Sequence, residues 1–174
     1  MRIAHRLLIG LALLALVGML AYGSSQQHAT GAKAKPSASA APAGWKTVTN
    51  DAKTCKLSLP PAWIEPGGGG GMWGRMEKGE MAMFIEDEET QKAGNWDPVH
   101  REIEKKKATG AKVEILEETP ERMIFQAPQG SILAVMSFHR SPKTLCAAQI
   151  GVPAGDSAEE KIARQIAESL APTP

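Results

Sequence analysis

Hydrophobic residues change their spacing several times along this chain, and each change predicts a different element. The first pattern is a solid block: LLIGLALLALVGMLAY, residues 7–22, is uncharged and follows the basic Arg2, His5 and Arg6. Its length falls between the core of a signal peptide and the ~20 residues that cross a bilayer as a helix. Ala21-Tyr22-Gly23 offers small residues where a signal peptidase reads, and no lipid-attachment cysteine follows. Residues 1–23 are therefore expected to be a cleaved signal peptide or a single-pass anchor, and both send the rest of the chain out of the cytoplasm. Residues 24–44 hold no large apolar side chain. Such a stretch cannot offset its ordering entropy and predicts a disordered linker.

Residues 45–171 carry the remaining patterns and are expected to form one domain. Residues 45–48 and 55–59 read as short strands; in the second, Cys55, Leu57 and Leu59 alternate with Lys56 and Ser58. Pro60-Pro61 ends it. Residues 73–78 and 80–86 flank Gly79 as a hairpin, and MAMFIE in its second arm is apolar on both faces, as for a central strand covered on both sides. The run Glu86-Asp87-Glu88-Glu89 is read as a strand-end turn, because it lacks the ligand spacing and glycine of a calcium loop.

Asp97 and Pro98 then open a polar surface helix, residues 98–109, with Val99 and Ile103 on a narrow apolar stripe and Gly110 as its stop. Residues 112–118, 121–127, 131–140 and 144–152 follow with turn residues between them, an antiparallel meander. The last helix has a capping box available from Ser157 to Glu160, and Ile162, Ile166 and Leu170 form its buried face with Ala163 and Ala167. The expected fold is α+β, an antiparallel sheet sandwiched between helices.

Composition narrows the chemistry. Formal net charge is +1, with both signs interleaved, so the basic footprint of a nucleic-acid binder is missing. Lys105-Lys106-Lys107 fits a solvated helix face. Gly69, Gly71 and Gly74 spell G-x-G-x-x-G, but prolines precede them and a strand-like segment follows, where a nucleotide site needs a strand leading in and a helix leading out. A P-loop fails too, since Gly74-Arg75-Met76 stands where Gly-Lys-Ser/Thr would hold phosphate and magnesium. No nucleotide, cofactor or metal is expected. His100 and Glu104 lie one helical turn apart, an ordinary pairing on a charged helix. G-x-S-x-G, H-E-x-x-H and C-x-x-C motifs do not occur, and no catalytic set stands out.

Cys55 and Cys146 are the only cysteines. Each lies in a strand on an apolar register, and export favours a disulfide between them over two buried free thiols. Trp63 lies beside a strand end, where it packs at the rim of the core. Met72-Trp73, delivered by the glycine run, reads either as the start of a core strand or, with Trp63, as a contact surface for a partner.

The strand ending in LSLPPAW (residues 57–63), the middle helix, the meander and the ending LCAAQIGVPAGDSAEEKIARQIAESL (residues 145–170) resemble the PsbP-like and DcrB-like α/β/α sandwich proteins. The resemblance implies a small exported protein, mostly accessory, assembly or partner-binding in role, with no catalytic residues to carry over. The five glycines at residues 67–71 depart from that pattern. The expected function is a non-catalytic cell-envelope module, secreted or held at the membrane by residues 7–22, that binds an envelope protein. A second reading is a small-ligand-binding protein or an enzyme using the groove beside helix 98–109.

Overall fold

The structure, a computed structural model, describes residues 41–64 and 71–174. The expected N-terminal helix and most of the expected linker lie outside the described residues. Among the described residues no helix is long and apolar enough to cross a membrane.

The chain forms strands β1 (Lys46–Thr49), β2 (Cys55–Leu59), β3 (Met72–Trp73) and β4 (Met81–Ile85), then helices α1 (Glu88–Ala93) and α2 (Asp97–Ala108). The meander follows as β5 (Glu114–Glu118), β6 (Arg122–Gln129), β7 (Ile132–Arg140) and β8 (Leu145–Pro153). Helix α3 (Ser157–Ser169) and strand β9 (Ala171–Pro172) close the fold. A six-stranded antiparallel sheet runs in the order β3-β4-β8-β7-β6-β5, and β1, β2 and β9 make a separate three-stranded sheet.

Strand alternation gives the large sheet two apolar faces. Ile124, Val135, Cys146, Ala148 and Ile150 point to one face, where Ala163, Ile166, Ala167 and Leu170 of α3 and Leu57 and Leu59 of the small sheet complete the main core. Met123, Phe125, Phe138 and Ala147 point to the other, where α2 brings Val99 and Ile103 and the connection before it brings Trp96. This is the expected α+β sandwich, with a small sheet beside α3. The disulfide Cys55–Cys146, with Cα atoms 5.6 Å apart, joins the small sheet to the centre of the large one.

Four local expectations are corrected. Residues 86–89 are no turn: Asp87 accepts from the Thr90 backbone N–H at 2.9 Å and caps α1, whose six residues are too few to show a helical period. The first arm of the hairpin is only two residues of strand, because Gly74 takes a φ of +130° and a short 3-10 turn (Met76–Lys78) follows. The cap of α3 is Asp156, accepting from Ala158 and Glu159 N–H, while Glu160 reaches back to Gly155 N–H; the box sits one residue earlier than Ser157. And β4 is not covered on both sides: Ala82 is buried, but Met81, Met83 and Ile85 stay half-buried on the face of α2.

Candidate functional site

That last departure defines the site. Helix α2 follows β5 and β6: Trp96 just before it donates its indole N–H to Thr119 O at 2.6 Å, and His100 lies 3.0 Å from Glu118. At the far end, Lys105 and Lys106 stand with Gln129, the last residue of β6. One helix therefore covers β5 to β7. Among the described residues, no helix lies over the lower halves of β8 and β4 or over the short β3 on this face.

Register shows what is left open. Met72, Met83, Gln149, Met136 and Phe125 are successive cross-strand partners, so one row of side chains runs across the sheet. Met81 and Gly151 follow in the next row, and a Cβ on Gly151 would meet the Met81 side chain at 2.9 Å. Met72, Met81, Met83 and Met136 are all half-buried. Methionine is flexible and polarisable, and suits a surface that must adapt to what lies on it. Gln149 is the polar member of the row, and its amide has no hydrogen-bond partner among the described residues.

Beside α2 this face deepens into a groove of about 330 Å³. Its floor is Ile85, Phe125, Met136, Phe138 and Gln149; one wall is α2, with Arg101, Glu102, Lys105 and Lys106; the start of α1 closes the upper end with Glu86, Asp87 and Glu89. Arg101 pairs with Glu89, and Lys106 with Glu102 at 3.5 Å. Glu86 and Lys105 have no ion-pair partner among the described residues, and they mark opposite ends of the groove.

The upper end is held firmly. Arg140 stacks over the Trp96 ring, 4.5 Å from its centre, and donates to Thr90 O at 3.2 Å and Asn95 O at 2.8 Å. Burial lowers the Arg140 pKa from its ordinary value. These bonds fix the α1–α2 connection on the sheet, so the groove is formed without a ligand.

A second polar cluster lies away from the groove. Arg75 grips the buried Glu80 carboxylate through two bonds, 2.5 and 2.7 Å, and reaches Glu159 of α3 at 3.4 Å. The bond to Glu80 raises the Arg75 pKa. Burial, then the Glu80 charge, raises that of Glu159, against the pull of Arg75. Gly74 is required here, since a Cβ would lie 2.3 Å from Glu80 O. The cluster locks the turn after β3 to the start of α3.

The residues singled out in the sequence are dispersed. Trp63 is 1% exposed and belongs to the main core, so it is neither at the rim nor available to a partner; the 3-10 turn after Pro60 swings it inward. Trp73 faces that same core and meets Phe84 edge-on at 5.7 Å. Met72, its neighbour, points the other way and joins the methionine row. His100 pairs with Glu118, and Glu104 with Lys107 at 2.8 Å. Among the described residues no cluster of His, Cys, Asp or Glu is arranged to hold a metal. The groove itself lies beside residues 98–109, and its signal in the sequence was the two-sided apolarity of β4.

No protein-family model and no curated protein matches the chain. Among solved structures it is similar to the solution structure of cyanobacterial PsbP (CyanoP) from Synechocystis sp. PCC 6803, at 13% identity and a TM-score of 0.45, over 78% of this chain and 96% of that one.

Proposed function

We propose that the chain is a non-catalytic, extracytoplasmic accessory module that binds a segment of a protein partner on the half-covered sheet face beside α2. The observation that carries this reading is the face itself: a preformed groove with a floor of Ile85, Phe125, Met136 and Phe138, continuous with Met83 and Met72. Contiguous apolar surface of this kind marks interaction sites on soluble domains. The groups with displaced pKa, Arg75, Arg140 and Glu159, line no part of it. The basic start and apolar run at residues 2–22 support export, and so does the disulfide, which persists in oxidising compartments.

Chemical cross-linking of intact cells, followed by purification of the full chain, tests this. A cross-linked partner is expected with the wild-type protein and with Lys161→Glu, exposed on α3 across the sheet. Its yield should fall at least about tenfold with Met136→Glu, which places a charge on the floor. A partner retained by Met136→Glu places the interface elsewhere. Protease added to spheroplasts should digest the domain without lysis. The second reading, a small apolar ligand, is favoured by the groove's volume, near the lower end for ligand pockets. It would show as a bound molecule in protein extracted without a cross-linked partner.

A further inference from the structure

We infer that the segment held in this groove is an amphipathic α-helix of another protein, lying beside α2 and running in the same direction; the inference rests on the binding role proposed above. Width comes first. Strands lie about 4.8 Å apart, so β8, β4 and the stub of β3 leave a strip roughly 10 to 14 Å across, and a helix with its side chains is about 10 to 12 Å wide. The strip has room for one helix, in the layer where α2 already lies.

Chemistry comes second. The floor and the strip beside it are apolar, with Met136, Met83, Met81 and Met72 along them, which seats the apolar stripe of a helix. The Gln149 amide, without a hydrogen-bond partner among the described residues, can take a polar residue at the margin. On the α2 wall Arg101 is held by Glu89 and Lys106 by Glu102, which leaves the Lys105 ammonium to be met, so the flank of the helix beside it should carry an acidic residue. Direction follows from the ends. Glu86 stands at the upper end, where the partial positive charge of a helix N-terminus is favoured, and Lys105 stands lower, where a C-terminus is favoured. Their carboxylate and lysine neighbours Asp87, Glu89 and Lys106 are already engaged by Thr90 N–H, Arg101 and Glu102. Both preferences give the direction of α2.

A second copy of this chain fits poorly. Meeting the face head-on, it would have to seat its own α2 on the floor, and the exposed residues of α2 include Arg101, Glu104, Lys105 and Lys107. Charges without partners would then be buried against methionine.

The test measures spacing on the native partner. A benzoylphenylalanine cross-linker is placed singly at Ile85 and Met81 on β4, and at Gln149 and Pro153 on β8, in the full chain in cells. Each pair lies on one strand, same face, about 13 Å apart, which corresponds to roughly nine residues of helix or four of extended chain. Adducts mapped by mass spectrometry should fall about nine residues apart on the partner, with Ile85 and Gln149 marking its N-terminal side. Lys105→Glu should lower their yield at least about fivefold, and Lys161→Glu, exposed on α3 across the sheet, should not. A spacing of about four residues, the reverse order, or adducts to a second copy of the chain would overturn the helix while leaving a protein-binding face. The absence of adducts at all four positions would overturn the helix and the binding role together. The β8 pair guards against a β4 variant that fails to fold.

Discussion

Arg75 and Glu80 show how much a single pair can carry in this protein. The Glu80 carboxylate is buried at 2% exposure and its charge is met by Arg75 at 2.5 Å. Removing one partner leaves a buried charge without compensation, whereas replacing both with apolar residues removes the charge altogether. Arg75→Met is therefore expected to destabilise the protein by about 3 kcal/mol, and the double variant with Glu80→Met by much less. Urea unfolding measures both; additive losses would contradict the coupling. Glu159 gives the matching pH dependence. Its folded pKa is raised, chiefly by burial, so the stability its protonated form contributes is fully present below the unfolded value of about 4.3 and is lost as pH rises through the folded value. Glu159→Gln should make the protein relatively more stable near pH 7 than near pH 4. Parallel pH profiles for the variant and the wild type would refute this.

At the scale of elements, α3 is the most firmly held. Asp156 caps its start, while Ser137, Arg122 and His139 reach Ala167 O, Glu168 O and Leu170 O at its end. Asp156→Ala should cost about 1 kcal/mol, measured as a shift in the urea midpoint with an unchanged slope. The same element shows what a sequence can reveal. The four-residue repeat of Ile162, Ile166 and Leu170 is local and strong, so α3 and its buried face were legible, as were the four strands of the meander. Helix α1 was not, because six residues starting with two glutamates display no period. Nor was β9, a two-residue strand whose identity depends on meeting Cys55 and Lys56 far away in the chain. The site lies between these cases. Apolarity on both faces of β4 was visible, but a pattern of residues does not say where a lone helix will lie on the sheet. Only the anchoring of Trp96 and Arg140 over β6 and β7 determines which half of the face stays open. Trp63 failed for a related reason: a tryptophan after a strand end looks the same whether the next turn points it in or out.

The whole molecule depends on one covalent link. Strands β1, β2 and β9 make a small sheet in which β9 is only two residues long, and it contributes Cys55, Leu57 and Leu59 to the main core. Cys146 stands opposite on β8, the strand between β4 and β7 of the large sheet. The bond between them spans a sequence separation of 91 residues, so in the unfolded chain it closes a long loop. The chain-entropy model assigns such a closure roughly 4 to 5 kcal/mol, and measured values often fall below it. Even half of that is a large share of the ~5 to 15 kcal/mol that holds a domain together. Two consequences can be measured. The denatured protein, kept unreduced, should take up no alkylating reagent at either cysteine, and should be labelled at both once reduced. The variant Cys55→Ala with Cys146→Ala should unfold at a lower urea concentration, by about 2 to 4 kcal/mol. Because the link is between sheets, hydrogen exchange in that variant should rise first in residues 46–49 and 55–59 while β6, β7 and β8 stay protected. Labelling of both cysteines before reduction would show that the bond is not formed, and exchange rising uniformly through both sheets would show that it does not act where the fold places it.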